Sequence, residues 1–457
     1  MKLSDISRCF QGVIPSIVAT ADARGVPNVT YASQVYYVDE KHVALSCQFF
    51  NKTRRNLNEN PNVAVELHDP VTMQSYRLRA RFIRSEKSGP LFDTMAMRIE
   101  AIASHTGMKG VFRLIAADVL EVTKVEKVEG FLTGDACVED DEPVSVSGMR
   151  TELRGLQLVS ERINRADDLE TLLAAALDAL DVYFNFNHTI VLLFDETSQK
   201  LVTVACRGYG GGGVGAEVAL GEGLIGTVAQ QRRILRISGL DASLRYGRAV
   251  RREVIEGGRD VRPEIPLPGL PDAQSALVLP LSAGDRLIGV LAAESRDAVA
   301  FGEWDETYLD IIANQIALGI DRMTTADVES EVMVESAGPR IPIAAPPQRA
   351  LPKRELTYYA KDDCLFVDGE YLIRNVPGRI LWKLLSEWKE KGRTEFTNRE
   401  LRLDPSLGLP EVKDNLESRL ILLRNRLAEK CPDLRIVSTG RGRFALNIDA
   451  ELEIVER

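Results

Sequence analysis

The side chains of this 457-residue chain whose types and spacing could do chemistry fall in three places. Near the amino terminus, Lys52, Arg54 and Arg55 crowd into NKTRRNLNEN, a short helix closed by Pro61. Cationic donors and unpaired N–H groups at a helix start are what a phosphate needs. In the middle, Cys206 stands alone on an apolar stretch. Such a thiol could carry a haem, a covalent chromophore or a redox switch, or be a small buried hydrophobe, the commoner role of a lone strand cysteine. Close behind it, Gly208 to Gly215 contains a GxGxxG-like run that opens no helix, so it reads as a loop and not as a dinucleotide cradle. Toward the carboxy terminus, Arg419, Arg424 and Arg426 sit on a leucine-striped helix, and Arg441 follows in the turn TGRG with Arg443 just after it. No nucleophile–base pair is recognisable. The histidines His42, His68, His105 and His188 show no HxxxH or HExxH spacing, and no two of the six cysteines form CxxC, so no metal site is expected.

An apolar content of 45% and a charged content of 27% are those of an ordinary soluble globular protein. The length suits about three domains of roughly 150 residues. No apolar run approaches the roughly 20 residues that span a bilayer, and MKLSDISRCFQG lacks the apolar core of a signal peptide. With scattered cysteines, these features set the expectation of a cytoplasmic, reducing location without membrane attachment. The net charge of −10 is uneven: 17 basic and 14 acidic residues lie in 1–130, 20 and 34 in 131–352, and 20 and 19 in 353–457. The acidity is central, so neither end repels polyanions as the total suggests.

Residues 1–130 read as β-rich. Pro15–Ala21, Asn28–Val38, Val43–Phe50, Val63–His68, Tyr76–Ser85 and Gly110–Val125 are expected strands, with helices over 51–60 and 91–105 and a turn at Asp22–Gly25. Period two puts Arg77, Arg79 and Arg81 on one face. This order, with the stretch FFNKTRRNLNENPNVAVEL, resembles the split-barrel flavoproteins related to pyridoxamine 5′-phosphate oxidase. The resemblance implies FMN, its phosphate held by Lys52 and Thr53 with Arg54 beside them and its ring near 69–74, where Gln74 is a candidate donor. Threonine stands where the oxidases tend to have lysine.

Residues 131–150 form an acidic linker, and a compact region over 151–325 follows. Leu153, Leu156, Val159 and Ile163 mark a helical stripe, and Asp167 with Glu170 a helix start. Strands are expected at 189–194, 201–207, 234–237, 275–281 and 287–295, a lid-like loop over 240–274, and a long closing helix after Phe301-Gly-Glu-Trp304. The segments LGEGLIGTVAQQRRILRI, SALVLPLSAGDRLIGVLAAES and FGEWDETYLDIIANQIALGI resemble a GAF domain. That resemblance implies a six-stranded antiparallel sheet flanked by helices, a small-molecule pocket, and a homodimer through the terminal helices; Cys206, read from its residue type alone, is a candidate sensor ligand in it.

A proline-rich linker over 326–353 leads to three short strands, helices over 377–391, 397–403 and 410–430, and a hairpin at 434–447. The region 354–450, with NLESRLILLRNRL and IVSTGRGRFAL, resembles the winged-helix output domain of OmpR/PhoB-type response regulators. By matching positions Lys413, Asn415, Ser418, Arg419, Arg424 and Arg426 would face DNA from the recognition helix, and Arg441 and Arg443 from the wing. Ile421 and Leu422 stand where that helix is usually basic, which points to a protein contact there. The expectation is thus a multidomain α+β chain: split β-barrel, GAF domain and winged helix. It would be a homodimeric, ligand-responsive transcriptional regulator. The alternative is an FMN-dependent oxidoreductase with a regulatory GAF domain and a docking winged helix.

Overall fold

The structure, a computed structural model, describes residues 1–47, 52–128, 146–166, 168–196, 198–209, 215–256, 269–330, 352–360, 363–407, 409, 416–440 and 442–457. Both linker cores, the glycine run and the segment with Lys413 and Asn415 lie outside these residues, as do Asp167 and Arg441.

The amino-terminal domain holds β1 (Ser16–Ala21), β2 (Pro27–Ala32), β3 (Val35–Asp39), β4 (His42–Cys47), α1 (Lys52–Glu59), β5 (Asn62–His68), β6 (Ser75–Glu86), α2 (Pro90–His105) and β7 (Ala116–Val128). Its seven strands form one sheet in the order β2-β1-β5-β6-β7-β4-β3. The Asp22 carboxylate accepts from the N–H groups of Arg24 and Val26, and Gly25 takes φ of 83°, so the β1–β2 turn is built as its residues dictate. Leu78 and Ala80 are buried between exposed Arg77, Arg79 and Arg81. The single strand expected over 28–38 is two, because Gln34 turns inward and donates to the Phe10 carbonyl.

The central domain holds α3 (Val146–Arg165), α4 (Leu169–Phe184), β8 (His188–Asp195), β9 (Lys200–Arg207), β10 (Glu217–Ala219), α5 (Gly223–Gln231), β11 (Leu235–Ser238), α6 (Leu240–Glu256), β12 (Ser275–Ala283), β13 (Arg286–Ser295) and α7 (Glu303–Ser330). Six strands pair antiparallel as β10-β9-β8-β13-β12-β11. On one face α3, α4 and α7 bury Val159, Leu172, Leu180, Ile312 and Ile316. On the other, α5 and α6 bury Ile225, Val228 and Leu240 together with Met97 and Ala101 of α2, so the first two domains share a core. The cap of α4 is Asp168, which accepts from the Thr171 N–H at 2.8 Å. The expected lid begins instead as α6, whose Leu240, Leu244 and Gly247 are buried. Leu153, assigned to the inward stripe of α3, is exposed.

The carboxy-terminal domain holds β14 (Lys353–Tyr359), β15 (Cys364–Val367), β16 (Glu370–Ile373), α8 (Asn375–Lys391), β17 (Glu395–Thr397), α9 (Asn398–Leu403), α10 (Leu416–Lys430), β18 (Leu434–Gly440), β19 (Arg443–Ile448) and β20 (Glu451–Glu456). A reciprocal cap between Thr397 and Glu400 starts α9. Strand β20 extends the domain past residue 450 and runs parallel to β14 in a four-stranded sheet. A second sheet, β17-β19-β18, carries the hairpin. Ile380, Leu384, Leu416, Leu420, Leu423 and Phe444 fill the core between them.

Candidate functional site

Two places gather the residues that could act, one on each side of the central domain. The first is a cleft of about 340 Å³ between the amino-terminal domain and α6. Thr53 and Arg54 line it, and so do Tyr36, Cys47, Arg98, Phe112 and Asp118. From α6 come Ala242, Ser243, Tyr246 and Gly247. Arg54 is already balanced: its guanidinium pairs with the buried carboxylate of Asp118, which also accepts from Ser85 at 2.7 Å. Thr53 accepts from the Asn28 side chain at 3.0 Å. Lys52 lies outside the cleft wall and donates to the Pro27 carbonyl at 3.3 Å. Gln74 is also elsewhere, its amide donating to the carbonyls of Val128 and Ser75.

Among the described residues, the cation that faces this cleft without a carboxylate is Arg98 on α2. It is 8% exposed and donates across the domain boundary to the Arg236 and Ser238 carbonyls at 3.1 and 3.4 Å. Burial pulls its guanidinium below the usual arginine value, partly offset by Tyr36. The sequence held a signal for it: Met95, Arg98 and Ala101 follow at helical spacing, so Arg98 lies on the buried stripe of α2. The rest of the boundary is equally specific. The Ser104 hydroxyl donates to the Gly221 carbonyl and accepts from the Gly223 N–H, both at 2.9 Å, and Lys109 reaches Gly221 at 2.9 Å.

The second place is the outer face of α10. Arg419 is buried and pairs with Asp195 of β8 at 3.1 Å. Arg424 pairs with Glu170 of α4 at 2.8 Å, and Glu417 accepts from the Leu169 N–H at 3.4 Å, at the amino end of that helix. Between them Ile421 is 4% exposed and joins the apolar core of the central domain. Leu422 lies so close to Gly215 that a Cβ there would meet its Cδ1 at 2.8 Å. Ser418 lines the adjoining groove, Arg426 pairs with Glu429 on its own helix, and Arg443 is exposed at the hairpin. Arg424 and Arg443 border one crevice with Glu170 and Glu417.

In the central sheet, Cys206 is half-buried against the α5–α6 core and lies opposite Ile190. Nearby, Glu294 accepts from the Tyr209 hydroxyl at 2.9 Å and from the Leu270 N–H. Burial nevertheless raises its carboxyl above the ordinary glutamate range. Among the described residues no group of three metal-ligating side chains forms, and no helix is long and apolar enough to cross a membrane.

Residues 166–321 match the GAF domain family, and residues 6–126 match the family described as pyridoxamine 5′-phosphate oxidase. The chain therefore joins a pyridoxamine 5′-phosphate oxidase-like domain to a GAF domain. Among solved structures, the GAF domain of an Acinetobacter phosphoenolpyruvate-protein phosphotransferase is similar at 22% identity, covering 38% of this chain and 95% of its own, with a TM-score of 0.32. HupZ of Group A Streptococcus is similar at 18% identity over 28% of this chain and 96% of its own, with a TM-score of 0.23. An FMN-binding protein from Syntrophomonas wolfei subsp. wolfei is 17% identical over 27% of this chain and 86% of its own, with a TM-score of 0.23. No curated protein matches the chain.

Proposed function

We propose that the protein is a cytoplasmic, ligand-responsive transcriptional regulator. Its carboxy-terminal region acts as a winged helix, with α10 reading DNA and the β18–β19 hairpin as the wing. The observation that carries this reading is the convergence of Arg424 and Arg443, from helix and hairpin, on one crevice filled by carboxylates. Glu170 and Asp195 take the arginines of α10 as DNA phosphates would. The GAF domain and DNA then compete for the same face, and an effector that favours one arrangement shifts the balance.

A homodimer fits this role. The exposed line of α7 runs Trp304, Thr307, Ile311, Asn314 and Leu318, alternating three- and four-residue steps as in a two-helix seam. FMN is the cofactor to test first in the cleft, where Thr53 and Arg54 form part of the wall. Those two residues also favour a second reading, an FMN-dependent oxidoreductase with a docking carboxy-terminal module. Purified protein showing flavin bands that NADH bleaches supports that second reading.

Selecting duplex DNA on the full-length chain tests the first. Arg424→Ala or Arg443→Ala should weaken binding and lower the salt slope by about one contact each. Unchanged affinity in both variants contradicts the recognition assignment.

A further inference from the structure

The groove beside α10 is a cavity of about 760 Å³, within the roughly 300–1,000 Å³ of small-molecule sites. Two domains wall it: Val202 and Glu217 come from β9 and β10, and Tyr371, Arg374, Arg379 and Arg426 from the carboxy-terminal domain. Leu193 and Val204 at its base belong to the core under α3, α4 and α7, so the groove lies on the sheet face opposite α5, α6 and Cys206. Its charges do not cancel. Arg419 pairs with Asp195 and Arg379 with Asp363, while Glu217, the remaining acid of the wall, is held by Lys200 at 2.7 Å. Arg374 has no carboxylate among the described residues, and Arg426 turns to Glu429 on its own helix, outside the wall. The Nε–H of Arg379 is buried without an acceptor among the described residues, a state that costs stability until a polar group reaches it. Tyr371 feels both outer arginines. Partial burial lifts its hydroxyl above the ordinary tyrosine range and Arg374 and Arg426 pull it back, so it stays a neutral donor. Its ring is set edge-on against Phe366, with centroids 5.8 Å apart.

We propose that this groove binds a small phosphorylated molecule, its phosphate taken by Arg374, Arg426 and the Tyr371 hydroxyl and the rest of it lying against Val202 and Leu422. A phosphate carries about two negative charges at neutral pH and several acceptor oxygens, which suits two guanidinium groups and a hydroxyl donor. A single carboxylate has the charge for one of those cations only. Glu217 opposes the anion, and Lys200 reduces that opposition. The cations belong to one domain and Val202 to the other, so an occupied groove favours α10 docked on the GAF domain by mass action. In the function proposed above the same ligand would oppose DNA binding, but its own binding does not rest on that reading.

The test is calorimetric titration of the full-length chain, at constant ionic strength and without DNA, with pyrophosphate, glucose 6-phosphate, glucose and citrate. At least one of the two phosphates should saturate with a Kd below about 1 mM, with glucose and citrate at least about tenfold weaker. Arg374→Gln/Arg426→Gln should weaken the bound phosphate at least about tenfold, and Arg374→Lys should retain part of the affinity. Tyr371→Phe, which removes the hydroxyl and keeps the ring, should cost about threefold. Glu217→Gln should tighten binding about threefold, an outcome that damage to the fold would not produce. If the double variant fails to fold, Glu217→Gln and Tyr371→Phe decide. The proposal is overturned if neither phosphate saturates by about 1 mM, if citrate or glucose binds as well, or if the folded double variant binds unchanged. With no DNA present, failure here is read separately from failure of DNA recognition.

Discussion

The GAF domain meets its two neighbours in different ways. Toward the amino-terminal domain it shares a hydrophobic core: Met97 and Ala101 of α2 are buried among Ile225, Val228 and Leu240, and Ser104 and Lys109 bond to the backbone of the Gly221–Gly223 turn. Toward the carboxy-terminal domain it offers carboxylates to arginines, with Ile421 as the apolar plug. Burial of apolar surface is insensitive to salt and costly to undo, whereas ion pairs near the surface contribute little and are screened. The first boundary therefore rests mainly on apolar burial and the second on charge as well as burial. In the function proposed above, the second boundary is the one that opens, and a signal is read as release or retention of α10.

The largest effect should come from breaking the shared core. Met97→Ala should cost about 2–5 kcal/mol, as core truncations do. Denaturation followed in both domains should show one shared transition moving down; if only the amino-terminal domain is destabilised, the common core is not cooperative. Smaller and confined to the other side is the effect of Glu170→Gln with Asp195→Asn. It should leave the main melting transition in place, make α10 more sensitive to protease, and raise DNA affinity several-fold. Raising salt on the unaltered chain should mimic the protease result.

Leu318→Glu probes a third surface. It should shift a dimer toward monomer in sedimentation without moving the melting transition of a monomer, since Leu318 is exposed. The smallest effect is at Glu294. Burial raises its folded-state value, so the folded protein holds that proton more tightly than the unfolded chain. Its contribution is full in acid and is lost as pH rises from about 4.3 through the raised value. Glu294→Gln keeps an acceptor for Tyr209 and Leu270, and should raise the melting temperature at pH 8 while changing little near pH 4. A gain that is equal at both values contradicts the assignment.

Local chemistry was readable where it is settled locally. The Asp22–Gly25 turn, the Thr397–Glu400 cap and the alternation of Arg77, Arg79 and Arg81 depend on neighbours within a few residues. What the sequence withheld is decided between domains. Gln74 and Lys52 carry suitable groups, but the fold spends them on the backbone of Val128, Ser75 and Pro27. Arg98 falls on the buried stripe of α2, but the carbonyls it bonds belong to strand β11, far away in sequence. Strand β20 escaped because its apolar residues, Leu452 and Ile454, alternate with glutamates and only pairing with β14 fixes them. Ile421 and Leu422 were informative for the opposite reason: apolar residues on a helix face otherwise bearing arginine mark a protein contact, and both meet the GAF domain.

One titration bears on the whole account: fluorescence anisotropy of a duplex selected on the full-length protein, comparing the unaltered chain with Glu170→Gln/Asp195→Asn. A control variant, Glu253→Gln/Glu256→Gln, removes the same charge from the exposed end of α6. If the GAF carboxylates hold α10 away from DNA, the first variant binds several-fold more tightly and the control binds like the unaltered chain. Equal affinity in all three, or an equal gain in both variants, contradicts it.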